Sequence, residues 1–428
     1  MAYPRPILRL AGPLALALLG ATPLPAASSL HVESETLVHW FQQQAAGEDK
    51  KAGVPGYEYL RVDYGALGGD GLSAHFYGWG RYDFGSYYQD NTAGEVLYGY
   101  AQYAQAQNNV LVRLGRQYLF QNGTSESLDG VVAGADVTPF FSFSSFLGQP
   151  VALEEVNGRS GDVLWGGRVA QHTKGLYEVG VSYKRSTNDG DKDGETLGLD
   201  VSVTPPGPVS LYGYSKRNLI TDGWSEHSYE ARLVVAEFLL RPYFQRIQTG
   251  DYLDIGAGTP KPFRDLLFWA PDETLSIVGA DTSFRFGKGF EIGAKAKHYD
   301  YSSVDANSWY YAATADQHWR GYTEVGAEVG RMEGDRDADR YTTVRVHGYV
   351  DKVPYGGSAP LFLSGDFVYA HYDEPINRKS QSIFGSLGGG LKFLSDKMQV
   401  KLSGDYSADP YFQSDFRVMG ALDYTFDK

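Results

Sequence analysis

Cysteine is absent from the 428 residues, so no disulfide can hold this fold together. The missing Cys-x-x-Cys-His also means that the chain attaches no haem covalently. Methionine is scarce, at four residues. Long hydrophobic runs are lacking too: mean hydropathy is −0.34, and only the N-terminus holds a sustained apolar run, which excludes a protein crossing a membrane on helices. There is no Gly-x-Ser-x-Gly elbow, no His-Glu-x-x-His and no phosphate loop. Gly68-Gly69-Asp70-Gly71 is turn chemistry rather than a nucleotide site. The reading is therefore a non-enzyme with no catalytic residue and no cofactor.

What the chain has is 52 Gly, 32 Tyr, 22 Phe and a formal charge of −14, which offers nothing to a nucleic acid. The apolar run starts after Arg5 and Arg9, covers Leu10 to Leu19 and ends at Pro23-Leu24-Pro25-Ala26-Ala27. It is too short to span a bilayer and reads as a secretory signal peptide over residues 1–27. At the other end, Val418, Gly420, Leu422, Tyr424 and Phe426 alternate with Arg417, Met419, Ala421, Asp423 and Thr425. That is the period of a β-strand with one apolar face. It resembles the terminal strand by which outer-membrane β-barrels of Gram-negative bacteria are recognised and closed, except that Asp427 and Lys428 follow the aromatic residue. The resemblance implies an outer-membrane location and a barrel-assembly machinery as partner. Closure has a physical reason, because an open sheet edge cannot stand in lipid.

Between these ends, ten-residue alternating segments follow one another: Val110 to Leu114, Tyr177 to Tyr183, Leu197 to Val203, Ile292 to Ala296, Leu361 to Tyr369 and others. Tight turns at Asn108-Asn109, Thr173-Lys174, Pro205 to Pro208, Gly287 to Gly289 and Ser395 to Lys397 alternate with longer polar stretches. The fold expected is all-β, a transmembrane antiparallel up-and-down barrel of about 18 strands (range about 16–20), counted from Leu72. Leu37, Trp40, Phe41 and Gln44 recur at helical spacing behind Ser34, so residues 28–56 read as an N-terminal periplasmic segment with a short helix. Residues 57–428 form the barrel. Tyr57 to Ala66 would make the count odd and is read as part of one long first crossing, or as lying outside the wall.

A charge on the lipid side would cost about 2–4 kcal/mol at the midplane. The charged members of the alternating segments are therefore assigned to the pore lining. These are Arg113, Arg168, Lys184, Arg232, Arg285, Lys295, Lys297, Glu324, Glu328, Arg345, Lys392 and Lys401, a mixed set with a modest basic excess.

Gly115-Arg116-Gln117 at a strand end, with Asp129-Gly130 downstream, resembles the alginate-export-like group of porin-type channels. That resemblance implies a monomeric barrel with a charged lumen passing anionic or polar solutes. The stretch from Gln121 to Gly161 carries Phe140, Phe141, Phe143 and Phe146, too apolar for a plain surface loop. It either folds inward as a constriction, the preferred reading, or supplies two extra strands. Asp189, Asp191 and Asp193 have the spacing of a calcium loop, against which a solvated acidic loop is the simpler account.

The function expected is diffusion of small polar or anionic solutes through an outer-membrane channel, surrounded by outer-membrane lipid and lipopolysaccharide. Two alternatives stand beside it: export of an anionic polysaccharide, or a sleeve for a periplasmic or multihaem cytochrome partner.

Overall fold

The computed structural model describes residues 29–45, 49–85, 87–88, 90–121, 124–151, 162–188, 190–252, 273–287, 289–302, 305–319, 323–353 and 361–428. The signal-peptide stretch lies outside them. The architecture is fixed by a seam. The terminal strand, Phe412–Asp427, pairs with Met398–Ala408 on one side and with Ser29–Ala45 on the other, antiparallel in both cases. Ser29–Ala45 pairs in turn with the next strand of the chain. One sheet thus closes on itself, and every strand has two hydrogen-bonded neighbours.

In chain order the strands are β1 Ser29–Ala45 and β2, made of Lys51–Gly53 and Pro55–Gly65 with a break at Val54. They continue with β3 Gly71–Asp83, β4 Thr92–Gln105, β5 Val110–Gln121, β6 Thr124–Thr138, β7 Phe141–Pro150 and β8 Val163–Thr173. Next are β9 Tyr177–Asn188, β10 Asp191–Val203, β11 Val209–Asn218, β12 Gly223–Val235, β13 Phe238–Gln248 and β14 Thr274–Phe286. The wall ends with β15 Phe290–Tyr301, β16 Ala306–Trp319, β17 Thr323–Gly334, β18 Tyr341–Val353, β19 Leu361–Ile376, β20 Lys379–Phe393, β21 Met398–Ala408 and β22 Phe412–Asp427. The barrel has 22 strands. Among the described residues no helix is long and apolar enough to cross a membrane.

The expected count of 18 falls short for two separable reasons. Of Gln121 to Gly161, Thr124–Thr138 and Phe141–Pro150 are not an inward constriction but the wall strands β6 and β7, in register with each other from Leu128↔Pro150 to Thr138↔Phe141, while residues 152–161 lie outside the described residues. On β7, Phe141 and Phe143 are exposed, as is Phe140 in the turn before it, while Phe146 is buried on the opposite face with Leu128 and Leu164. The second reason is the start of the wall. Ser34 to Ala45 of the expected helix belong to β1, and Tyr57 to Gly65 belong to β2. Among the described residues the wall therefore starts at Ser29, ahead of the expected boundary at residue 57. Two of the longer polar stretches, Ser186 to Glu195 and Asp373 to Gln381, are tighter than their composition suggests: β9 and β10 approach to Asn188↔Asp191, and β19 and β20 to Ile376↔Lys379.

The two rims differ. Where β1 starts and β22 ends, Leu30 and Lys428 exchange backbone hydrogen bonds of 2.9 Å in both directions. The connections at this rim are brief, as at 139–140, 174–176, 236–237 and 394–397. The opposite rim carries the long ones, at 84–91, 151–162 and 249–273. The outside is apolar by alternation, with Leu60, Phe76, Val112, Leu114, Val179, Val181, Val329 and Leu402 all exposed. One departure is Glu58, on the face of Leu60. It accepts hydrogen bonds from Ser34 (2.6 Å) and Thr36 (2.5 Å), side chains from β1 beside it.

Candidate functional site

The pleat that turns Val112 and Leu114 outward turns Arg113 inward, where its Nε donates to Gln102 Oε1 at 2.8 Å and its guanidinium lies 5.2 Å from the Tyr100 ring centroid. The same alternation places the other charged candidates on the inner face, and it brings them together in pairs. Arg168 donates to Asp200 at 3.0 and 2.5 Å and to Glu178 at 2.6 Å. Lys184 pairs with Glu126, Lys295 with Glu328 at 2.5 Å, and Arg285 with Glu291 at 3.0 Å. Arg345 pairs with Asp366 at 2.5 Å, Lys392 with Asp351 at 2.9 Å and Lys401 with Asp423 at 2.6 Å. Glu324 stands between His318 (3.2 Å) and His347 (3.3 Å).

Seven of the ten inward bases read from the sequence are thus closed by acids, which removes most of the expected basic excess. The three others differ. Arg113 bonds an amide, and the Lys297 ammonium sits 6.0 Å from the centroids of both Tyr243 and Tyr310. Arg232, in register with Ser210, has no ion-pair partner among the described residues. Because these side chains face water, each pair contributes only about 0–1 kcal/mol to stability. Their effect is on the field inside the barrel.

A second wall was not legible from charge. Inward positions on β2, β3 and β4 carry Tyr57, Tyr59, Tyr77, Trp79, Tyr98 and Tyr100. Their ring centroids lie 6.3 Å apart for Tyr57–Tyr59, 6.3 Å for Tyr59–Tyr77, 5.5 Å for Tyr77–Tyr98 and 5.7 Å for Tyr98–Tyr100. Level with Tyr77 and Tyr100, Arg61, Asp63 and His75 form a linked group, with Arg61 Nε to Asp63 at 2.8 Å and His75 Nδ1 to Asp63 at 2.6 Å. The signal was present as an aromatic residue at every second position in three neighbouring segments.

The Gly115-Arg116-Gln117 stretch has a local structural role. Arg116 grips Asp129 with two hydrogen bonds of 2.7 and 2.8 Å, and Gly115 faces Gly130 across the β5–β6 ladder. Gly115 adopts φ 128°, and a Cβ there would lie 2.3 Å from the Gly99 carbonyl oxygen, so only glycine fits. Gln117 is buried and donates to the carbonyl of Gly130 at 3.2 Å.

Of the acidic run, Asp189 lies outside the described residues, and Asp191 and Asp193 belong to β10, next to a Lys192–Glu195 ion pair. Among the described residues no three His, Asp or Glu side chains converge as a metal site. At the long-loop rim, the short helix Thr249–Tyr252 packs on β12, and Lys216 lies 4.6 Å from the Tyr252 ring centroid. Burial and the nearby Glu226 carboxylate push the Tyr252 phenol above its ordinary pKa.

No family model matches the chain, and no curated protein does. Solved structures similar to it include OccAB2 of Acinetobacter baumannii, at 9% identity over 93% of this chain and 98% of that one, with a TM-score of 0.47. OccK1 (OpdK) of Pseudomonas aeruginosa is similar at 11% identity, 93% and 99% coverage and a TM-score of 0.46. OccK9 (OpdG) of the same organism gives 10%, 95%, 100% and 0.46. None of these three is of the alginate-export-like group, and that resemblance gains no support from them.

Proposed function

We propose that the chain is a porin-like channel of a Gram-negative outer membrane, passing small polar solutes by diffusion and without chemistry. The observation that carries this reading is the closed 22-stranded wall, apolar outside and lined within by paired charges and tyrosines. Such a wall satisfies every backbone group internally, which is what lipid demands, and it keeps a wet interior. Export and barrel-assembly machinery follow from the same reading, as does contact with lipopolysaccharide on the outer face. With most inward bases paired, preference between small anions and cations is weak. Purified protein reconstituted in planar bilayers tests this. The expected result is stepwise ohmic conductance with a small reversal potential in a salt gradient. Bilayers that stay closed would end the channel reading.

The strand count favours a second reading. Strands about 4.8 Å apart and tilted by about 40° place 22 of them on a wall about 40–45 Å across, wider than a 16–18-stranded diffusion pore needs. Such a barrel could act as a sleeve around a partner protein, including an electron carrier. Co-purification of one stoichiometric partner, with conductance appearing only after its removal, would favour the sleeve.

A further inference from the structure

The aromatic wall of β2 to β4 has a composition that a passive water-filled lining does not require. Aromatic faces gain nothing from water, and inward positions elsewhere in the barrel carry ion pairs. Here Tyr57, Tyr59, Tyr77, Trp79, Tyr98 and Tyr100 form a continuous row in which consecutive centroids lie 5.5 to 6.3 Å apart, with Trp79 6.2 Å from Tyr57. Tyr118 on β5 extends it, 6.4 Å from Tyr98.

The row climbs the wall. Tyr100 is in register with His75, Tyr77 with Arg61, and Tyr57 with Arg81. From the level of His75 to that of Arg81 is about 20 Å along the strand, or about 15 Å of the roughly 25 Å apolar band at a tilt of about 40°. The hydroxyls of Tyr59, Tyr77, Tyr98 and Tyr100 bond no protein group among the described residues and are not sealed off from solvent. They form a line of open donors and acceptors beside flat apolar faces.

The flanking charges cancel. Arg61 is closed by Asp63 (2.8 Å) and Glu33 (3.4 Å) and Arg116 by Asp129, while Glu35 and Glu95 stand in register with Tyr59 and Trp79. Arg81, in register with Tyr57, and Arg113, 5.2 Å from the Tyr100 ring, have no ion-pair partner among the described residues, yet with Glu35 and Glu95 counted the carboxylates flanking the row still outnumber its arginines, so no net positive charge is available there to hold an anionic chain.

From this geometry we infer that the row is a binding track for a linear, uncharged oligosaccharide. A sugar ring has an apolar face of C–H bonds that stacks on an aromatic side chain, and a hydroxyl edge that exchanges hydrogen bonds with phenols and carboxylates. A chain of such rings matches a surface that repeats both features along a line. An extended row, unlike an enclosed pocket, lets the chain move from one ring to the next without losing all its contacts at once.

The inference rests on the channel reading, and two measurements on the same purified barrel keep them apart. Titrating maltohexaose and cellohexaose into the detergent-solubilised protein, followed by calorimetry and by Trp79-dependent fluorescence, reads binding whether or not ions flow. Bilayer recordings read conductance and its interruption by the same sugars. At least one hexamer is expected to bind more tightly than its disaccharide and to interrupt the current. The variant Tyr77→Ala/Tyr98→Ala should bind about tenfold more weakly, while Tyr77→Phe/Tyr98→Phe retains most of the affinity. Polyethylene glycol of similar length should not compete. Absence of binding by any neutral hexamer to a barrel that conducts ions would overturn the track and leave the channel standing. Binding confined to a hexauronate, or unchanged in the alanine variant, would overturn it as well. Sugar binding without ion flow would keep the track and remove the diffusion channel.

Discussion

The two walls of the lumen solve one problem differently. Both are built by the same two-residue alternation that turns valine and leucine outward. On β14 to β21 the inward positions are filled by complementary ions, such as Lys295 with Glu328 and Arg345 with Asp366. On β2 to β4 they are filled by rings that cover one another. The ionic wall depends on partners and the aromatic wall on neighbours. A tyrosine therefore means different things on the two sides. Tyr310 donates to Glu328 at 2.5 Å, within reach of Lys295, and is part of a network. Tyr98 bonds no protein group among the described residues through its hydroxyl, and serves through its faces.

The largest expected effect removes both walls at once. Val38 of β1 lies between Gly56 of β2 and Gly420 of β22, so Val38→Pro deletes a ladder hydrogen bond in a strand shared by the aromatic wall and the seam. A loss of about 3 kcal/mol or more is expected. On a gel, the unboiled sample should lose its compact, heat-modifiable band; a normal band would mean that β1 is dispensable.

Next in size is an unpaired carboxylate. Arg168→Met leaves Asp200 and Glu178 facing each other without a cation. The site is partly wet, so the loss should be about 1–2 kcal/mol, visible as a lower urea midpoint with an unchanged slope. Replacing Asp200 and Glu178 as well should recover much of it.

A smaller effect concerns selectivity. Changing Arg113, Arg168 and Arg232 to Ser removes three inward cations and should move the reversal potential toward cation preference, by about twofold in permeability ratio at low salt. The shift should fade as ionic strength rises. A wild-type pore that already selects cations strongly would show that the inner charges had been weighted wrongly.

The most discriminating test pairs two tyrosines. Tyr310→Phe should cost about 1–2 kcal/mol, because Glu328 loses a charge-assisted hydrogen bond. Tyr98→Phe should stay within about 0.5 kcal/mol. Equal losses would erase the distinction between the walls.

What could be read without coordinates follows the same division. Strands whose inward residues are charged and outward residues aliphatic declare themselves, and Lys295-Ala-Lys297 beside Ile292 needs no structure. β1 does not declare itself, because Leu37, Trp40, Phe41 and Gln44 satisfy a helical period by coincidence. Its outer face is also interrupted by Ser34 and Thr36, which serve Glu58 on the next strand. β6 and β7 were hidden by the aromatic load of Phe140 to Phe146, which suggests a buried plug only until alternation places Phe141 and Phe143 outside. Ion pairing was the least legible feature. Arg168 and Asp200 lie 32 residues apart, and their contact depends on the registers of two successive strand pairs.

The seam has a consequence for how the barrel is made. His31 and Asp427 are joined although 396 residues separate them, at 2.6 Å. Loop-closure entropy grows with the logarithm of length, so bringing these ends together costs about 3 kcal/mol more than closing a hairpin. All other strand pairings join neighbours in the chain and can form in passing; this one has by far the highest contact order. The strands that meet there are correspondingly long, 17 residues for β1 and 16 for β22. Their ladder runs from His31↔Asp427 to Gln44↔Ser414 without a register shift, the only irregularity coming at Ala45. Length at the seam is what offsets the polymer cost of circularity, and zipping of this pair is the step expected to set the folding rate.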